Sequence, residues 1–103
     1  MTMQLEFADG STGTIHYLAN GGKDFPKERI EVFAGGKVMV CNNFRSTREF
    51  GGKNKFSTYG QDKGHAEELK QFMSAIQKGG AWPISWSELW EVSQHTIGLA
   101  ENL

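Results

Sequence analysis

The chain predicts an α+β fold: an antiparallel β-sheet of about four to six strands followed by two C-terminal helices packed on one face. Three observations lead there. Period-two alternation recurs through the first sixty residues, glycine pairs separate the alternating runs, and helical spacing of apolar residues begins only after Gly64. Strands first and helices last suit an α+β layering, whereas a nucleotide-binding sheet would alternate the two.

Met3, Leu5 and Phe7 alternate with Gln4 and Glu6, which marks a half-buried strand. Asp9-Gly10-Ser11 is turn chemistry, and residues 14–18 read as the antiparallel return. Asn20-Gly21-Gly22 ends that strand, and Pro26 lies in a longer loop. Residues 29–33 and 37–41 flank Ala34-Gly35-Gly36, a hairpin signal because paired glycines supply the positive φ of tight turns. Residues 45–50 and 55–59 are weaker strand candidates around Gly51-Gly52, polar on both faces and so loosely specified in register.

The first helix starts near Gly64. Asp62 is placed to cap its free amides, and Glu67 and Glu68 favour its positive dipole end. Ala66, Leu69, Phe72, Met73 and Ile76 form one apolar stripe, and Gly79-Gly80 stops the helix. The second helix follows Pro83, with Ser85 and Glu88 in a capping-box pattern and Trp86, Leu89, Trp90, Val92, Ile97, Leu99 and Ala100 as its apolar positions.

Residues 1–103 have room for a single domain, and seven Phe, three Trp and two Tyr supply area for a core. A net charge of −1 gives little attraction for nucleic acid or an acidic membrane, so neither is expected as a partner. No apolar run approaches the roughly 20 residues that span a bilayer. Cys41 stands alone, which excludes an internal disulfide and suits a reducing, cytoplasmic setting. The first strand starts almost at residue 3, and the chain reads as cut inside a sheet.

The dinucleotide fingerprint needs two glycines one residue apart, and none occur. The Gly-Lys pairs at residues 22–23, 36–37 and 52–53 lack the Ser or Thr of a phosphate loop. His16, His65 and His95 are too scattered for a local metal motif. Arg45, Arg48, Lys53, Lys55 and Lys63 outnumber Glu49 and Asp62, and read first as a solvated strand face. His65 is the best candidate for contact with a ligand, because a helix start offers free amides and partial positive charge. With Lys63 and Tyr59 it makes the candidate substrate-binding group; no catalytic or cofactor-binding residue is assigned. Trp82, Trp86 and Trp90 recur every fourth position and read as core or interface, with a sugar-stacking platform as the sharper alternative.

Gly64-His65 followed by Glu68-Leu69, Phe72, Ala75-Ile76 and Gly79 resembles a recurring helix near the C-terminus of Gfo/Idh/MocA-type oxidoreductases. Trp82-Pro83-Ile84 with the helix from Ser85 is similar to that family's closing segment. Residues 9–15 and 29–38 resemble its paired strands. The resemblance implies the C-terminal part of the sheet domain of an NAD(P)-dependent enzyme acting on sugars or polyols. It also implies a homo-oligomer through the open sheet face and a separate Rossmann-bearing half. The cofactor fingerprint and the family's catalytic Lys, Asp and His have no counterparts here, so this chain by itself would hold no cofactor and not be catalytically competent. NAD(P) would belong to a full-length parent. The alternative is a stand-alone binding or scaffold domain for sugar-phosphate-like ligands.

Overall fold

A computed structural model describes residues 1–102, as six strands followed by two helices. The chain divides into two compact units, residues 1–59 and 60–103, which are taken in turn.

The first unit opens with a hairpin of β1 (Thr2–Glu6) and β2 (Thr12–His16), in which Met3 faces Ile15 and Leu5 faces Gly13. Alternation sorts most side chains as expected, with Met3 and Leu5 half-buried and Gln4 and Glu6 exposed, but Phe7 lies beyond the end of the strand and is exposed. Across the polar side, Thr14 Oγ1 donates to Gln4 Oε1 at 2.9 Å. Asp9 shapes the turn by accepting from the Ser11 amide and hydroxyl at 2.9 and 2.6 Å.

The remaining strands form a separate antiparallel meander, β3 (Arg29–Ala34), β4 (Lys37–Asn42), β5 (Ser46–Phe50) and β6 (Lys55–Ser57). The six strands therefore fall into two sheets, of two and four strands, rather than one. Residues 17–28, with Gly21, Gly22 and Pro26, carry the chain between them outside the strands, although Tyr17 and Glu28 at its two ends extend the flanking ladders through backbone hydrogen bonds to Met1 and Asn43. Ala34 pairs with Lys37 across Gly35 and Gly36, whose φ values of 57° and 73° make the tight primed turn that the glycines signalled.

The β4–β5 turn was not marked in the sequence. Asn43 and Phe44 both take positive φ, 49° and 50°, while the Arg45 amide donates to the Asn42 carbonyl at 2.9 Å. Asparagine tolerates that region; phenylalanine adopts it against its own steric preference. At the next turn Gly51 has φ 79°, and a Cβ there would lie 3.0 Å from the Gly36 carbonyl, so glycine is required twice over.

Register sorts the meander into two faces. One carries the rows Ile30–Cys41–Thr47–Phe56 and Val32–Met39–Glu49. The other carries Glu31–Val40–Arg48–Lys55 and Phe33–Val38–Phe50. Val40, on the central strand β4, is the one buried hydrophobic residue among the described residues. Its row neighbours Glu31 and Arg48 are long enough to lay their stems beside it.

In the second unit, α1 (His65–Lys78) and α2 (Trp86–Glu101) match the expected starts. At the end of α1, Gly79 turns left-handed at φ 63° and its amide returns to the Ala75 carbonyl. At the start of α2, Ser85 accepts from the Glu88 amide while the Glu88 carboxylate accepts from the Ser85 amide, a complete capping box. No residue of either helix is buried among those described. Ser85→Ala is expected to cost about 1 kcal/mol of helix stability and to reduce the far-UV circular dichroism signal of helix; an unchanged melting curve would refute this capping contribution.

Candidate functional site

The candidate residues lie on both sides of the unit boundary. Tyr59 is fully exposed at the end of the first unit, and Lys63 and His65 belong to the second. His65 is the first residue of α1 and is exposed. The expected capping by Asp62 takes a different form. Its Oδ1 accepts from the Gly64 amide at 2.9 Å, one residue short of the helix, and the N-cap is Gly64 itself at φ 81° with no side-chain cap bond. A left-handed glycine turns the chain into the helix too sharply for Asp62 to reach beyond it. The first amides of α1 thus keep their donor capacity, beside a dipole end that Glu67 and Glu68 already favour.

Glu67 is occupied. It accepts from Gln71 at 2.8 Å and from Lys70 at 3.3 Å, and these bonds, Gln71 first, hold its carboxyl below the ordinary value.

Within the first unit, the two arginines of the basic group take different partners. Arg45 donates to the Tyr59 carbonyl at 3.2 Å, so it ties β5 to the segment after β6. Arg48 lies 4.5 Å from the centroid of the Phe50 ring. Register sets Lys55, a like charge, directly opposite Arg48 across β5 and β6. Both arrangements fit the reading of these residues as a sheet face.

One ion pair was missed in the sequence. Lys37 Nζ lies 2.7 Å from Glu49 Oε1, and Asn54 Nδ2 donates to Glu49 Oε2 at 2.6 Å. The pair spans the Gly35-Gly36 and Gly51-Gly52 ends of the meander, and the hairpin register that places Lys37 near Glu49 was its available signal. The Glu49 side chain is 11% exposed, against 55% for Lys37.

The tryptophans divide in two. Trp82 lies before α2, as Pro83 predicts, and stacks on Phe72 of α1 with centroids 5.4 Å apart. Trp86 and Trp90 are successive turns of α2, 6.4 Å apart, and are 73% and 60% exposed. Beside them Trp90, Ser93, Gln94, Ile97, Gly98 and Glu101 line a shallow apolar depression on α2, which Gly98 deepens by having no side chain. Its walls come from a single helix.

His16 Nδ1 lies 3.1 Å from Thr2 Oγ1 across the first hairpin, at an exposed strand position. No three His, Cys, Asp or Glu side chains gather into a metal-binding group among the described residues, and none of their helices is long and apolar enough to cross a membrane. No family model, curated protein or solved structure matches this chain.

The electrostatics at Glu49 are testable. The hydrogen bond from Lys37 is the main cause that lowers its carboxyl from 4.5; desolvation opposes it, and the Asn54 amide, the Lys37 charge and the Asn54 side chain add to the lowering. A lowered folded value contributes stability above 4.5 that is lost as the pH falls through the folded value. In Lys37→Met, a carboxyl titration by NMR should show Glu49 moving up toward 4.5, with the acid unfolding limb shifted to higher pH. A Glu49 titration identical to the parent's would reject the pairing.

Proposed function

We propose that this chain is the sheet and oligomerisation segment from the C-terminal part of a Gfo/Idh/MocA-like NAD(P)-dependent oxidoreductase. In this reading the parent acts on a sugar- or polyol-type substrate, and hydride transfer requires a Rossmann-bearing half. The supporting observation is the distribution of apolar surface. Val40 alone is buried among the hydrophobic residues described, while Ile30, Val32, Met39 and Phe56 share one sheet face at 45%, 46%, 49% and 62% exposure. Scattered exposed apolar residues are ordinary; four aligned on one face by strand register mark a surface made for contact. The order of helix, proline-containing connector and helix, with the two glycine hairpins before it, supplies the resemblance on which the oxidoreductase reading rests.

Under this reading the chain contributes structure and assembly, and the parent supplies the nicotinamide. The chain has no Gly-x-Gly for the pyrophosphate, and the Gly-Lys pairs serve turns: Gly36 in the β3–β4 hairpin and Gly51-Gly52 between β5 and β6. His65 and Lys63, at an uncapped helix start, are the residues that would meet an anionic substrate group, with Tyr59 as their aromatic neighbour in sequence.

Two outcomes follow. Isothermal calorimetry of the purified chain with NADH should show no saturable heat, and micromolar binding would overturn the division of labour. Light scattering should show a homo-oligomer that Val32→Asp combined with Met39→Asp dissociates, because two buried, unpaired charges would be costly at such a contact. A clean monomer at high concentration would reject association through the sheet face.

A further inference from the structure

The meander ends on one side at β3, and the backbone geometry of that strand says what it can accept. The Asn43 amide donates to the Glu28 carbonyl at 2.6 Å, which makes Glu28 and Asn43 a hydrogen-bonded position of the β3–β4 ladder. Antiparallel alternation then turns the backbone groups of Ile30, Val32 and Ala34 toward β4. Those of Arg29, Glu31 and Phe33 point outward, along a strand that is exposed at all six residues. Natural edges of this kind are commonly shortened, bulged or covered. β3 pairs with β4 in unbroken register along its whole length.

We propose that this edge joins a second copy of the same chain, β3 against β3 and antiparallel about a two-fold axis at Ile30, making one continuous sheet from two meanders. The register follows from charge. Arg29 and Glu31 lie on the same face, with Arg29 Nη2 2.6 Å from Glu31 Oε1 and Arg29 Nη1 3.1 Å from Asn42 Oδ1. Centred on Ile30, the pairing sets Arg29 of each copy opposite Glu31 of the other, so four charges alternate in sign around the axis. Centred on Arg29 or on Glu31, it would set a like charge against itself. Centred on Val32, it sets Glu31 against Phe33 and leaves Arg29 opposite Gly35. The Ile30-centred register is the one of these four that pairs opposite charges directly across the strands.

The hydrogen bonds agree with the charges. In that register Arg29 and Glu31 form the hydrogen-bonded pairs, using the backbone groups that face outward, and Ile30 meets Ile30 at a non-hydrogen-bonded position. A two-fold contact of this kind is isologous, with the same patch used on both copies. It also extends the apolar face of Ile30 and Val32 across the axis.

The contact differs from the face association proposed above and can be separated from it. Sedimentation equilibrium of the full chain should show dimer affinity falling about tenfold in Arg29→Glu and in Glu31→Arg, since each turns both cross-strand pairs into repulsions. The combined variant R29E/E31R should recover the parent affinity. An equimolar mixture of the two single variants should form heterodimers in preference to either homodimer. In a Cys41→Ser background, needed because Cys41 pairs with residue 30 within the chain, Ile30→Cys should form a disulfide-linked dimer on mild oxidation. Two such Cα atoms would lie about 4.5 Å apart, within the span of a disulfide. Val32→Cys in that background should not cross-link. A monomeric parent, a dimer indifferent to the charge exchange, or cross-linking through residue 32 in place of 30 would each overturn the proposal. A dimer that ignores the charges but yields to V32D/M39D would reject edge pairing and leave face association standing.

Discussion

The central strand β4 carries the first unit. It is paired on both sides, to β3 and β5, and it holds Val40, the residue most withdrawn from water. A β-sheet derives its stability from side-chain contact on its faces, and hydrogen bonding along a ladder contributes a modest net term. Here the ladder is complete, yet the face bearing Ile30, Val32, Met39 and Phe56 remains about half exposed or more. The unit thus owes its shape to turns and register more than to a buried core.

Polar contacts reinforce that frame where the strands end. Lys37, Glu49 and Asn54 join two neighbouring hairpin ends, Arg45 and Thr58 bridge β5 to the segment after β6, and Arg29 links Glu31 to Asn42. Exposed ion pairs are worth little individually. Their value here is geometric: each adds a side-chain link beside backbone pairing, as Arg29 does to its register partner Asn42 and Thr58 does to Arg45. Arg48 adds a contact of another kind, its guanidinium stacking on Phe50 of the same strand.

The helices follow another logic. Glycines end α1, a capping box starts α2, and Glu67 bonds the next turn through Lys70 and Gln71. These devices are local and sum to a few kcal/mol at most. Helices of 14 and 16 residues are near the length at which an isolated helix is marginal in water. The stripes of Leu69, Phe72, Met73 and Ile76 on α1 and of Leu89, Trp90 and Ile97 on α2 are the surfaces from which further stability would come.

Much of this was legible in the sequence because it depends on neighbours along the chain. Alternation at Met3–Glu6, the Gly35-Gly36 turn, the stop at Gly79 and the Ser85–Glu88 cap each arise within a few residues, so residue type determined them. The αL turn at Asn43-Phe44 escaped because phenylalanine carries no such preference; the hydrogen bond from Asn43 to Glu28 on the neighbouring strand holds it there. The division into two sheets, the Lys37–Glu49 pair and the stacking of Trp82 on Phe72 were decided by tertiary structure. Each turns on where a distant or bent backbone brings a partner, and on which strand ends up beside which. Local rules name the elements; pairing across the chain chose the faces and left β3 at an open edge.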